Sequence, residues 1–284
     1  MPKVLAVVLG AILLVSYLGV LHPAGDSLAV FRPVWALLFA LATIWSAWPR
    51  RIRWPLAVSG MLSLLQVFWP GWMPRQSPDQ SLKLYQQNLL FNRRENDEWL
   101  EAIAKAQPDV ITLQEVSKKN TSLLDELRPN YPALTLCPFA AVGGVAVLSP
   151  FPKVPDSAVC ARGVAAMQVV SPHGPVTVVS LHLHWPWPYG QSHQVEELLS
   201  MLARLERPVV LAGDFNAVGW SHTVRQIARV TGTRRVGPSG ATFALPHIPY
   251  PVTIDHVLAP DGIAQVQPRL GSDHNGVLAY VRPY

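Results

Sequence analysis

The chain has 284 residues, half of them hydrophobic, with 23 lysines and arginines against 18 acids and a formal charge of +5. The surplus is confined to the start: six basic residues and one acid precede Ser77, which leaves 17 of each sign from Ser77 onward. That balance excludes a bulk basic field for attracting nucleic acid, and two cysteines without a Cys-x-x-Cys pair exclude a zinc ribbon or a thioredoxin-type site.

The first quarter reads as membrane. Val4 to Leu21 is an uncharged apolar run, and a second runs from Pro33 to Trp48 with Arg32 at its start, placed to snorkel. A third extends from Trp54 to Met73. Six tryptophans (Trp35, Trp45, Trp48, Trp54, Trp69, Trp72) cluster towards the run ends, as interfacial belts do. No small-x-small cleavage site precedes His22, so the first run is expected to be retained rather than removed as a signal peptide. These features predict a transmembrane anchor over 1–73, with helices at about 4–21, 32–48 and 54–73, and a buried helical bundle is the rival reading of the second and third runs, which are shorter than a span ideally is. Residues 74–81 (PRQSPDQS) read as a short linker. The basic cluster at Pro49–Arg53 belongs on the cytoplasmic side, which would put everything after the third helix on the other side. Cys137 and Cys160 then allow either one disulfide or two buried thiols.

From Leu82 short apolar runs alternate with helical patterns, the signature of an α/β domain over 82–284. Strands are predicted at Leu82–Asn88, Asp109–Glu115, Gly144–Ser149, Gly163–Val170, Val176–His184, Val209–Leu211, Thr253–Leu258 and Gly276–Val281. Helices are predicted at Glu95–Ala106, Ser117–Leu127 and Gln191–Leu205. The stretch around Val209–Leu211 is the most informative. After the apolar run, Ala212 and Gly213 narrow the chain, and Asp214 and Asn216 arrive where an α/β sheet places its chemistry.

Other strands end in matching groups: Asn88, Glu115, His182, Asp255, and Asp273 with His274. Each alone has an ordinary explanation as a cap, a turn former or a core histidine. Together they supply carboxylates for a hard cation, amides to orient, and two histidines for proton or phosphate work.

The motifs QQN ending at Asn88, DVITLQEV with Glu115, SLHLHW with His182, LAGDFNA with Asp214 and Asn216, TIDHVLA with Asp255, and GSDHNGV with Asp273 and His274 resemble the endonuclease/exonuclease/phosphatase superfamily, in its order. The preceding apolar helices look like a membrane-anchored bacterial branch of it. The resemblance implies a four-layer α/β sandwich, two packed β-sheets flanked by helices. It also implies a divalent-metal site for Mg²⁺, with Mn²⁺ as a substitute. Glu115 would be the principal ligand, helped by Asn88 and Asp273. Asp214 would position or deprotonate the attacking water, and Asn216 would orient it or the phosphate. His274, held by Asp255, and His182 would contact the phosphate.

The basic loops by which nuclease members grip DNA are not evident in this sequence. The expected substrate is therefore a phosphodiester in a lipid headgroup or a small soluble ester, with DNA or RNA as the alternative and the bilayer as partner. Arg162, Trp185 and Trp187 are candidate substrate contacts, and no protein partner is evident. A bacterial inner-membrane protein with its catalytic domain outside the cytoplasm is the expected location. A non-catalytic binding module on the same fold is the rival reading, but it would be expected to have lost Glu115, Asp214 or His274, and all three are present.

Overall fold

The computed structural model describes residues 2–72, 81–93, 96–245, 248 and 250–284, so residues 74–80 of the expected linker lie outside the described residues. The N-terminal part is a helical layer: α1 (Pro2–Val15), α2 (Ala24–Ala29), α3 (Arg32–Ile44) and α4 (Arg50–Trp72). Ala6, Leu9 and Leu13 of α1 pack on Ala36, Phe39 and Ala42 of α3. Gly60 lets α4 approach α3 closely, since a Cβ there would sit 2.9 Å from the Ala36 carbonyl oxygen.

The expectation of three membrane-spanning helices is corrected: no described helix is long and apolar enough to cross a membrane. α1 has 14 residues and α3 has 13, short of the roughly 20 that a span needs. α4 has 23 but opens on Arg50, Arg51 and Arg53 and carries Gln66. Arg32 does not snorkel either. It is buried, stacked over the Tyr17 ring at 4.0 Å, and donates from Nε to Ser16 Oγ at 3.1 Å. The chain turns at Ser16 instead of continuing as helix because these polar groups satisfy one another there.

From Leu82 onward lie β1 (Leu82–Asn88), α5 (Asp97–Ala106), β2 (Val110–Val116), α6 (Ser122–Leu127), β3 (Ala133–Ala140), β4 (Gly143–Ser149), β5 (Val159–Ala161), β6 (Val164–Ser171), β7 (Gly174–His182) and α7 (Gln191–Leu202). Then come β8 (Val209–Asp214), α8 (His222–Thr231), β9 (Arg234–Gly237), β10 (Phe243–Ala244), β11 (Pro251–Val252), β12 (Asp255–Ala259), β13 (Asp261–Val266) and β14 (Val277–Arg282).

Two mixed six-stranded sheets result, ordered β13-β14-β1-β2-β4-β3 and β5-β6-β7-β8-β12-β9. β1 runs parallel to β2, and β7 parallel to β8. Their facing sides form one apolar core, with Leu84, Val110 and Val147 from the first sheet and Met167, Val178, Val210 and Val257 from the second. The outer face of the first sheet buries Trp99, Ile103 and Leu123 of α5 and α6. The outer face of the second buries Leu198, Leu202, Val224 and Ile227 of α7 and α8. Helix, sheet, sheet, helix is the four-layer sandwich that near-continuous apolar strands require when both faces are covered.

A disulfide between Cys137 and Cys160 ties β3 to β5, and so one sheet edge to the other. The pair is 23 residues apart, a closure that stabilises by about 3 kcal/mol in the chain-entropy account. Urea denaturation with and without reductant is expected to show that loss. Identical midpoints would mean the bridge constrains nothing in the unfolded chain.

Candidate active site

The helical layer is not held apart on a tether; it grips the loops at the carboxyl ends of the second sheet. The buried Asp26 carboxylate accepts from the backbone N–H groups of His222 at 2.7 Å and Thr223 at 2.8 Å, at the start of α8. Trp220 Nε1 donates to the Ala29 carbonyl, and Ser27 Oγ to that of Trp187. Tyr250 stacks on Phe31 and donates its hydroxyl to the Val30 carbonyl.

Within that frame, neighbouring strands of the two sheets bring one set of ends together, the last residues of β1, β7 and β8 and the first of the antiparallel β12. β8 ends on Asp214 because Gly213 allows the tightest approach: a Cβ there would lie 1.9 Å from the Leu181 carbonyl oxygen of β7. Asp214 pairs in register with His182 on one side and Asp255 on the other. From the facing sheet, Asn88 at the end of β1 donates Nδ2 to Glu115 Oε1 at 3.1 Å and to Asp214 Oδ2 at 3.2 Å. Glu115 and Asn216 both stand at positive φ, +57° and +46°, a conformation non-glycine residues rarely adopt and one that clusters where side chains are aimed for function. At Glu115 the cause is an irregularity in the β2–β4 ladder between Leu113 and Val116, which swings the carboxylate out of the pleat.

His274 sits between two carboxylates. Its Nδ1 is 2.9 Å from Asp255 Oδ2 and its Nε2 is 3.8 Å from Asp214 Oδ2. Burial alone lowers its pKa, but Asp255 and Asp214, with the Asp255 hydrogen bond, outweigh that and push it to about 10. It is therefore an imidazolium near neutral pH. Burial raises Asp255, and the adjoining His274 more than reverses this, holding it ionised. Asp214 goes the other way: burial lifts it well above the carboxylate range, and Asp255 adds to the lift. Burial also raises Glu115, opposed by hydrogen bonds from Asn88 and Phe91. His182 is pulled down to about 3, by burial first and then by His274. It stays neutral, with Nε2 3.6 Å from Asp214 Oδ2 and Nδ1 buried without a hydrogen-bond partner.

Asp214, Asp255 and His274 offer ligand atoms within 4.8 Å of one another. That trio is a poor cation site, because a protonated imidazole held by two carboxylates has no lone pair to give. The carboxylates of Glu115 and Asp273 suit a hard dication better, and Asn88 joins them as a ligand by turning its amide, since its Oδ1 here accepts from the Leu90 N–H at 3.0 Å. Asp273 is exposed, next to His274, and close enough to raise the Glu115 pKa through its charge. Asn216 Oδ1 is buried without a hydrogen-bond partner, and its direction is fixed because the amide donates to the Leu183 carbonyl at 2.8 Å.

The other candidates lie on the rim. Trp185 is 6.0 Å from the Phe243 ring, which in turn lies 4.5 Å from His274. Trp187 faces the helical layer, edge-on to His22. Arg162, half exposed, contacts His184 Nε2 at 3.0 Å and Glu197 at 3.7 Å rather than the carboxylate cluster. Sequence reasoning passed over a buried amide relay between the sheets. Gln86 Nε2 donates to Gln114 Oε1 at 2.8 Å and Asp255 Oδ1 at 3.1 Å, and Gln114 Nε2 donates to Ser180 Oγ at 2.9 Å. Amides set inside apolar strands were the available signal.

Behind the site, His256 has its tautomer fixed. Nδ1 accepts from Arg235 Nε at 2.9 Å, so Nε2 donates to the Ala217 carbonyl at 2.8 Å. Burial, then Arg235, depress its pKa to about 3. The unfolded chain therefore binds the extra proton first, and stability falls as pH drops below the unfolded value of about 6.5, by about 1.4 kcal/mol per pH unit for this group. Comparing denaturation of wild type and His256→Gln from pH 7 to 4.5 isolates that slope from the opposing Asp214 and Glu115 contributions. Equal slopes would show that His256 is not buried neutral.

Among solved structures, a sphingomyelinase C from Streptomyces griseocarneus superposes with a TM-score of 0.52 at 19% identity, covering 71% of this chain and 99% of that one. A truncated Caenorhabditis elegans TDP2 gives 0.57 at 12% identity, covering 73% and 100%. A Staphylococcus aureus beta toxin variant with bound magnesium ions gives 0.55 at 14%, covering 72% and 100%. These likenesses establish the shared fold. No curated protein sequence matches the chain. The profile described as the Endonuclease/Exonuclease/phosphatase family matches residues 85–274, well over half of the sequence. With that match running from ahead of Asn88 through His274, the chain belongs to the endonuclease/exonuclease/phosphatase family and is a hydrolase of phosphate esters.

Proposed function

We propose that this protein is a Mg²⁺-dependent phosphodiesterase in which 82–284 is the catalytic domain. The observation that carries the reading is the unbroken run of contacts Glu115–Asn88–Asp214–His274–Asp255, which joins an oxygen-rich corner to a charged imidazole. Asn88, Glu115 and Asp273 would hold the dication, which would supply charge neutralisation for the phosphate. Asp214, its pKa raised by burial, accepts the proton of the attacking water. Asn216 Oδ1, unpartnered and fixed in direction, accepts that water's other hydrogen bond. As the water oxygen bonds to phosphorus and the ester oxygen departs, the His274 imidazolium stabilises the charge gathering on the phosphoryl oxygens. Asp255 keeps it protonated and oriented. Neutral His182 donates a second hydrogen bond to the phosphate.

The diester favoured is a lipid headgroup or a small soluble ester, because the domain has no basic surplus with which to neutralise a nucleic-acid backbone. The location proposed is the outer face of a bacterial inner membrane. The disulfide supports an oxidising compartment. Exposed apolar side chains of the helical layer, Val4, Val7 and Leu14 among them, support contact with lipid.

The test is hydrolysis by the full-length protein in detergent of bis(p-nitrophenyl) phosphate, phospholipid and plasmid DNA, with and without chelator. Chelator-sensitive release from the small diester or the lipid is expected. No hydrolysis of any of the three would refute the reading, and salt-sensitive cutting of plasmid ahead of both others would make the enzyme a nuclease.

A further inference from the structure

A cavity of about 890 Å³ lies between the helical layer and the catalytic domain. That is within the range of pockets which bury a small ligand, roughly 300 to 1,000 Å³. We propose that it holds a hydrocarbon chain of the substrate, so that the diester cleaved is a membrane lipid. This rests on the phosphodiesterase reading of the adjoining site and names its substrate class.

The lining dictates an apolar occupant. Val34, Leu37, Leu64 and Val67 form the helical wall, opposite Val218 and Val252. The charged lining group is Arg235, and its guanidinium is engaged by His256 Nδ1 and the Pro238 carbonyl. Gln66 accepts from the Tyr17 hydroxyl, and Thr253 Oγ1 donates to the Gly240 carbonyl. A headgroup would find little here to recognise it; a methylene chain would.

Both walls on the catalytic side are made of chain that ends in the site. Val218 follows Asn216 by two residues. Val252 pairs across a two-stranded ribbon with Phe243, whose ring lies 4.5 Å from that of His274. The β10–β11 ribbon thus divides the cavity from the catalytic imidazole, the spacing a lipid needs to put its phosphate on one side and its tail on the other. Asp26 and Trp220 fix the helical layer against this rim, so the cavity is a built gap.

The helical wall continues into apolar surface. Leu38 and Leu41 of α3 and Val58, Met61 and Leu62 of α4 are 40–58% exposed. At the far end of this surface, where α3 finishes and α4 begins, stand Trp45, Trp54 and the cluster Arg50, Arg51 and Arg53. Tryptophans and arginines beside an apolar face are what seats a helix at an anionic lipid surface. A lipid chain therefore has a continuous apolar route from the bilayer into the cavity, and each methylene it buries strengthens binding about fourfold.

The experiment uses full-length protein carrying Val34→Trp or Leu64→Trp, which fill the cavity, and Val170→Trp, an exposed β6 position away from both the cavity and the helical layer. Binding of cis-parinaric acid is followed by its fluorescence in chelator, where turnover is silent. Wild type and Val170→Trp are expected to bind saturably within twofold of each other, and the two filled variants at least tenfold more weakly. In Mg²⁺, the filled variants are expected to lose at least tenfold in kcat/KM on dioleoyl phosphatidylglycerol and to stay within twofold on bis(p-nitrophenyl) phosphate. Unchanged parinaric acid binding in both filled variants, or equal losses on the two substrates, overturns the proposal, as does a protein segment cross-linked inside the cavity. If the wild type cleaves neither diester, the catalytic reading has failed, and the fluorescence arm still decides whether the cavity takes a chain.

Discussion

Asp214→Asn and His274→Ala are each expected to lower kcat by roughly 10² or more, the scale of losing a proton acceptor or a charge aimed at the transition state. Asparagine keeps the shape of Asp214 and its place beside Asn88, His182 and His274, but it cannot take a proton. Burial makes the Asp214 charge costly in the folded protein, and relief of that cost offsets the bond an amide loses where the Asn216 N–H and Asn88 Nδ2 both donate to the carboxylate, so the variant is expected to melt close to wild type. Loss of activity with stability kept separates a chemical role from a structural one. His274→Ala removes the cation that Asp255 and Asp214 share, and Asp255→Asn should reproduce part of that loss. The double variant is expected to fall short of additivity, because Asp255 acts through the ring it holds. A kcat within threefold of wild type in either single variant would remove that residue from the mechanism.

Much of this arrangement was legible in the sequence because a polar residue at the end of an apolar run has few reasons to be there. Leu82–Asn88 is observed as predicted, and the Val209 strand extends to Asp214. What the pattern hid was short or interrupted. β3 contains Pro138 and alternates weakly, β9, β10 and β11 span four residues or fewer, and β13 opens on Asp261-Gly262. α8 was missed although its signals were present. Ser221 caps it by accepting from the Val224 N–H at 3.1 Å, and Gly232 ends it in the left-handed conformation. The deeper omission concerned the first quarter of the chain. Counting apolar residues predicts spans, yet Asp26 is the one acid there, and it is spent capping a helix nearly 200 residues away. Contacts at that separation leave no periodicity to read, so an isolated carboxylate in an apolar segment was the sole hint of docking.

Glu115→Gln is expected to raise the Mg²⁺ concentration needed for half-maximal activity by at least tenfold, with kcat partly recovered at saturating metal. A neutral amide is a poorer ligand for a hard dication than a carboxylate. The local geometry adds a second cost. Glu115 accepts from Asn88 Nδ2 at Oε1 and from the Phe91 N–H at Oε2, the latter at 2.7 Å. Both partners are donors, so a glutamine must turn its own NH₂ toward one of them and lose that bond. The loss falls on a residue already held at positive φ, where few compensating rotations are open. Calorimetric Mg²⁺ titration should therefore show weaker binding before any substrate is added, which separates a ligand from a group that merely touches the phosphate. Glu115→Asp keeps the charge but retracts it by one methylene, and should give an intermediate shift. If Glu115→Gln lowers kcat while the metal dependence stays that of wild type, the cation belongs elsewhere. The cluster of Asp214, Asp255 and His274, with the imidazole deprotonated, would then be the place to look.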